Sequence, residues 1–160
     1  MIRTANPSDS PIIRSIAENT WPDAYSNIIS PEQIQYMLNL MYSDDALHHQ
    51  MKNGHQFYIA EINEKPIGFA SVSNEGNNVF QLNKLYILPN TQKTGVGKSL
   101  IQTIIEHVKQ HGGAQIMLRV NKQNNAKLFY ERQGFSILNE SILELEHGFV
   151  MDDYIMGINV

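Results

Sequence analysis

The segment Gln92-Lys93-Thr94-Gly95-Val96-Gly97 joins a strand to a helix, and no other stretch restricts the fold as much. Val79 to Leu88 has strand character and stops at Pro89. Beyond the glycines, Leu100, Ile101, Ile104, Ile105 and Val108 recur at helical spacing, and His111-Gly112-Gly113 closes that helix. The first N–H groups of a helix have no partner within it, and the helix dipole favours negative charge there. Glycine lets the main chain approach a phosphate with no Cβ in between. The junction is therefore a candidate anion cradle, although a glycine-rich turn opening a helix would look the same if it stood alone.

Spacing separates three phosphate-binding patterns. In GxxxxGK[ST], Gly97-Lys98-Ser99 supplies the end, but the first glycine falls on Gln92. The dinucleotide pattern GxGxxG needs a glycine where Leu100 stands. The pattern [Q/R]xxGx[G/A] is matched by Gln92, Gly95 and Gly97.

The rest of the chain supplies a frame. Ile2-Arg3-Thr4-Ala5 suggests a short first strand. Asn6 to Asp9 carries helix-start signals ahead of Ile12, Ile13, Ile16, Ala17 and Thr20, and Trp21-Pro22 is expected to break that helix. Ser30-Pro31-Glu32-Gln33 opens a second helix, with Ser as N-cap and Gln33 at the capping-box position. Ile34, Met37, Leu38 and Met41 line its face, and Ser43-Asp44-Asp45 marks a further N-cap region. Phe57 to Ile62 and Ile67 to Val72 read as a hairpin about Asn63-Glu64-Lys65-Pro66. Ile116 to Val120 is a buried-type strand, and a short helix before Gly134 follows. Phe135 to Leu138 and Tyr154 to Ile158 are the last strands. The order β-α-α-β-β-β-α-β-α-β-β predicts an α/β chain: a mixed sheet with helices on its faces.

With 160 residues, the chain is expected to form one domain over 1–160. It has no cysteine, which excludes disulfides, thiolate metal ligands and a cysteine acyl carrier. The net charge is −4 and there is no basic block, so nucleic acid is not an expected partner. No apolar stretch approaches the ~20 residues that cross a bilayer, and Met1 to Pro7 lacks a signal peptide's apolar run. The expectation is a soluble, cytoplasmic protein with no membrane partner. His107 and His111 stand four apart but end a helix, where histidine complements the dipole, and no third ligand is evident. No metal is expected.

The loop resembles the pyrophosphate loop of the GNAT superfamily of N-acetyltransferases. Leu82 to Pro89 is similar to the family's strand before that loop. Ala126 to Phe135 is similar to its late helix, with A-x-x-x-Y and a closing Gly-Phe. The three segments stand in the family's order and spacing. The resemblance implies the GNAT-type fold, a central and mostly antiparallel mixed sheet flanked by helices, with acetyl-CoA as cosubstrate. In that fold the strand before the loop splays from its neighbour and the pantetheine arm lies in the gap. Leu85 and Ile87, with Tyr86 between them, would border the arm. Gln92, Lys93, Thr94, Gly95, Val96, Gly97, Lys98 and Ser99 would surround the pyrophosphate. Gln92 stands where the family often has Arg. Gln123 stands where it often has a coenzyme-contacting Asn, and Asn121, Asn124 and Asn125 are near it. Tyr130 matches the position that protonates the departing thiolate; a core tyrosine beside Phe129 is the plainer alternative.

Acetyl transfer to an amine needs a neutral amine, a polarised thioester carbonyl and a proton for the leaving thiolate. A lysine-like ammonium has a pKa of about 10.4, so roughly one molecule in a few thousand is neutral at pH 7. Glu32, Asp23 and Glu61 are candidate bases, and each is also an ordinary surface carboxylate. With no cysteine to carry an acyl group, direct transfer in a ternary complex is expected. Trp21 and Tyr25 are expected to line the acceptor pocket. Gly148 to Met156 and the Ser30-Pro31-Glu32 helix are similar to the PaiA-like subgroup, which includes polyamine acetyltransferases. Asp152-Asp153 agrees with a cationic acceptor, or forms a solvated turn. The expected function is acetyl transfer to a primary amine of a small molecule, polyamines included, or of a protein. A non-catalytic acyl-CoA-binding module on the same fold is the alternative, and either leaves room for a homodimer.

Overall fold

The computed structural model describes the chain from Met1 to Val160 apart from residues 92 and 93. Seven strands form one sheet: β1 (Ile2–Thr4), β2 (Gln56–Ile62), β3 (Lys65–Asn74), β4 (Val79–Ile87), β5 (Gln115–Asn121), β6 (Ser136–Glu144) and β7 (Val150–Asn159). Their order is β1-β2-β3-β4-β5-β7-β6. Every pairing is antiparallel except β4 with β5. The mixed sheet agrees with the sequence pattern.

Among the described residues five α-helices cover the sheet: α1 (Ser10–Tyr25), α2 (Pro31–Tyr42), α3 (Asp44–Lys52), α4 (Val96–Gln110) and α5 (Ala126–Arg132). The apolar stripe of α4, with Leu100, Ile101, Ile104 and Val108, packs with Phe80, Leu82, Ile116 and Leu118. A second cluster joins Ile13, Ile16, Trp21, Met37, Leu38 and Leu47 of the first three helices to Phe57, Ile59 and Phe69. Burial of these two clusters is the main favourable term holding the layers together.

Several local expectations change. Pro22 does not end α1, which runs on to Tyr25. A proline loses its own N–H bond to the fourth residue before it and crowds that residue's carbonyl, and packing outweighs both here. The Trp21 ring lies 4.6 Å from Tyr25 and 5.8 Å from Tyr86, and Ser26 N–H donates to Pro22 O at 3.0 Å. The expected pair of N-terminal helices is a set of three, because Ser43 Oγ accepts from Ala46 N at 3.1 Å and starts α3. The first hairpin turns on Asn63 and Glu64 alone, both at positive φ, so Lys65 and Pro66 belong to β3. Asp152 and Asp153 lie within β7 and not in a turn. The last two strands run well past their expected limits. β6 is an exposed edge strand, so Asn139, Glu140 and Ser141 carry no alternating burial signal.

A candidate acyl-transfer cleft

β4 and β5 run side by side only from the Val79–Gln115 pair to the Leu82–Leu118 pair. A bulge starts the separation: Ser71 opposes Lys84 and Val72 opposes Leu82, leaving Asn83 as the extra residue of β4. Beyond it β4 stays paired with β3 as far as Ile87, while β5 keeps only β7, with which it pairs from Gln115 to Asn121. Leu88 N donates to Ile67 O at 2.8 Å. Antiparallel alternation then turns the main-chain groups of Tyr86 and Lys84 towards β3, and those of Leu85 and Ile87 towards the β5 side. The opening between the strands is a cleft of about 640 Å³.

One mouth of the cleft is the start of α4. A 3₁₀ turn spans Pro89–Thr94, and Gly95 follows at φ +79°, a left-handed conformation that disfavours side chains. Among the described residues no side chain caps α4, whose glycines line the cleft, so its first N–H groups have no side-chain acceptor among them. Gly97 is required for a different reason. A Cβ there would stand 3.0 Å from Phe129 Cζ and 3.1 Å from Ile87 Cδ1. The helix end can approach β4 and α5 this closely only without a side chain. Such a bare, glycine-lined helix start fits a pyrophosphate.

Leu85, Tyr86, Ile87, Gly95, Gly97 and Lys98 line the cleft, and so do Gln123, Asn124 and Tyr130. Thr94, Val96 and Ser99 do not. Thr94 Oγ1 donates to Thr91 O at 2.7 Å, Ser99 Oγ donates to Gly95 O at 3.2 Å, and Val96 packs on the core. Gln92 and Lys93, both expected beside the pyrophosphate, lie outside the described residues. Tyr86 differs in kind from its neighbours: its side chain joins Trp21 and Phe69 on the other face of the sheet. Asn121 Oδ1 and Asn124 Oδ1 accept from Gln123 N and Ala126 N, both at 2.9 Å, and shape the turn into α5. Gln123 is exposed on the cleft, and its side-chain amide has no hydrogen bond among the described residues.

Tyr130 is buried on α5, and Gly134 ends that segment at positive φ. Burial, followed by nearby Tyr25, pushes its phenol well above the ordinary tyrosine value. It therefore stays protonated, as an acid must before it donates. Its hydroxyl makes no hydrogen bond among the described residues.

On the far side of the sheet, Tyr25 lines the cleft and its hydroxyl lies 3.1 Å from that of Tyr86. Trp21, expected beside Tyr25 in the pocket, instead lies beneath it in the core. Of the three candidate bases only Asp23 lines the cleft. Glu61 pairs with Arg3 at 3.3 Å, and Glu32 is exposed in the first turn of α2. Three polar residues escape a reading by periodicity. Arg119 pairs with Asp153 at 3.3 Å and donates to Ser141 Oγ at 2.7 Å. Burial raises the Asp153 carboxyl and Arg119 opposes that rise. Lys84 lines the cleft, and burial lowers its ammonium to about 8. The signal for both cations was a long charged side chain between apolar residues of a strand. Among the described residues no group of three His, Cys, Asp or Glu is placed to hold a metal, and no helix is long and apolar enough to cross a membrane.

A second groove, of about 680 Å³, runs beneath α1 and is lined by Ile12, Ser15, Asn19, Pro66, Leu88 and Thr91 among others. It shares Asp23 and Pro89 with the cleft but is not lined by the glycines that open α4.

A splayed parallel strand pair, a glycine-lined helix start and a buried phenol fit an acyl-CoA-dependent transferase. Residues 26–152 match the family described as the acetyltransferase (GNAT) domain, and the chain belongs to that family. It is an acetyl-CoA-dependent acyltransferase of the GNAT fold. An uncharacterised N-acetyltransferase of Methanocaldococcus jannaschii is 33% identical over 49% of this chain and 38% of its own length. A spermidine N(1)-acetyltransferase of Thermoplasma acidophilum is 25% identical over 85% of this chain and 88% of its own. The crystal structure of the Thermoplasma acidophilum PaiA N-acetyltransferase with coenzyme A superposes with a TM-score of 0.82. It is 22% identical and covers 100% of this chain and 98% of that one.

Proposed function

We propose that residues 1–160 act as one domain that transfers the acetyl group of acetyl-CoA directly to a primary amine in the cytoplasm. The observation that carries this reading is the parting of β4 from β5 beyond the Leu82–Leu118 pair, with Tyr130 in the wall of the gap. Leu85 and Ile87 would border the pantetheine arm, and the N–H groups that open α4 would hold the pyrophosphate. Acetyl-CoA supplies the thioester whose carbonyl carbon the amine attacks. A main-chain N–H of β4 at Leu85 or Ile87 would polarise that carbonyl. Tyr130 would donate its proton to the departing thiolate. Asp23, the one candidate carboxylate on the cleft, would take the amine's surplus proton, directly or through water.

The acceptor is an amine on a small molecule or a protein. A polyamine is one such class: the Thermoplasma relative is named for spermidine, and the chain carries a net charge of −4. Free-thiol release from acetyl-CoA with a panel of amines tests the reading. One thiol is expected per N-acetylated product, with no acetyl-protein intermediate. Tight coenzyme binding with no turnover on any amine would indicate a binding module instead.

A further inference from the structure

Among the described residues Lys84 is a cation without a counter-ion. Its Nζ donates to Gln50 Oε1 at 2.9 Å and stands 5.5 Å from the Tyr42 ring centre and 5.9 Å from that of Phe57. No carboxylate pairs with it among the described residues. Arg119, another cation that lines the cleft, already has Asp153. Lys98 stands at the opposite mouth, at the start of α4. An ammonium has three donors, and Gln50 takes one of them.

The surroundings are polar and incomplete. Ser71 lies opposite Lys84 in the β3–β4 pair, and its Oγ is buried without a hydrogen bond. The Tyr42 hydroxyl, from the ring beneath the ammonium, is also buried without one. A charge with no counter-ion and little water is unfavourable in the free protein. It becomes favourable when a ligand brings the opposite charge. A polycation at the same wall would be repelled by Lys84. Lys84 lines the same cleft as Leu85, so a carboxylate held by Lys84 would keep the rest of a small molecule at the wall of the gap.

We propose that Lys84 binds a carboxylate of the acceptor, so that the amine acetylated belongs to an amino-acid-like molecule and not to a polyamine. The inference rests on the acetyl-transfer reading for the amine's role, but the carboxylate contact can be measured without turnover.

The test is calorimetric titration of the coenzyme A-loaded protein with N-acetylglycine, its uncharged amide, and N1-acetylspermidine. The acid is expected to bind about 10- to 100-fold more tightly than the amide, the range of one charge-assisted hydrogen bond. In Lys84→Met that ratio falls towards one. The variant is expected to melt no lower than the unaltered protein, since it loses a buried charge, so a collapsed ratio cannot come from misfolding. Equal binding of acid and amide, binding of neither, a preference for the acetylspermidine, or a preference that survives in Lys84→Met overturns the inference. Thiol release is scored separately: its failure counts against acetyl transfer, while the acid-to-amide ratio alone decides the Lys84 contact.

Discussion

Tyr130→Phe is expected to lower kcat by about 100-fold or more while leaving the KM for acetyl-CoA within about threefold, the behaviour of a lost general acid. The ring fills its place between Phe129 and Phe135, at centroid distances of 5.4 and 5.8 Å, and phenylalanine keeps both contacts. The hydroxyl has no hydrogen bond to lose among the described residues, so thermal stability should hardly change. Burial raises the phenol above the ordinary tyrosine value, so its proton is in place near neutral pH. A variant that turns over at the parental rate with saturating amine would remove Tyr130 from the chemistry and leave it a core residue.

Gly97→Val is expected to damage both fold and coenzyme binding. Its Cβ would enter at 3.0 Å from Phe129 and 3.1 Å from Ile87, and two further methyl groups follow it. Overpacking of this kind destabilises by about 1–3 kcal/mol. Phe129 and Ile87 also wall the cleft, so relief of the clash moves them into the coenzyme's space. The Kd for acetyl-CoA should rise about tenfold or more, as 1.4 kcal/mol is a factor of ten. Gly95→Ala separates this effect from backbone strain. Its Cβ meets open space, and its left-handed φ alone contributes about 1–2 kcal/mol. An unchanged melting temperature and Kd in Gly97→Val would mean that α4 does not approach the cleft this closely.

The sequence carried the coenzyme half of the site better than the acceptor half, and the reason is physical. A phosphate cradle is local. Glycines between a strand and a helix can be read by spacing, and Gly95 and Gly97 stand where that spacing puts them, one for its φ and one for its missing Cβ. The acceptor side is assembled from distant segments. Tyr25 meets Tyr86 across 61 positions of sequence, and Arg119 meets Asp153 across 34. No periodicity reports such pairs. Lys84 was hidden for another reason. The bulge at Asn83 shifts the alternation of β4 by one residue, so a two-residue period through Leu82 puts Lys84 on the wrong face. Pro22 misled because a local rule gave way to the packing of Trp21.

The central claim is that acetyl-CoA lies between β4 and β5 and not in the groove of similar size beneath α1. Titrating acetyl-CoA into ¹⁵N-labelled protein tests it directly, because both sites carry assignable amides. The expected result is saturable shifts at Leu85, Gly97, Lys98 and Tyr130, with Ile12, Ser15 and Asn19 little moved. Shifts confined to Ile12, Ser15, Asn19 and Thr91, with the α4 amides unmoved, would contradict the claim.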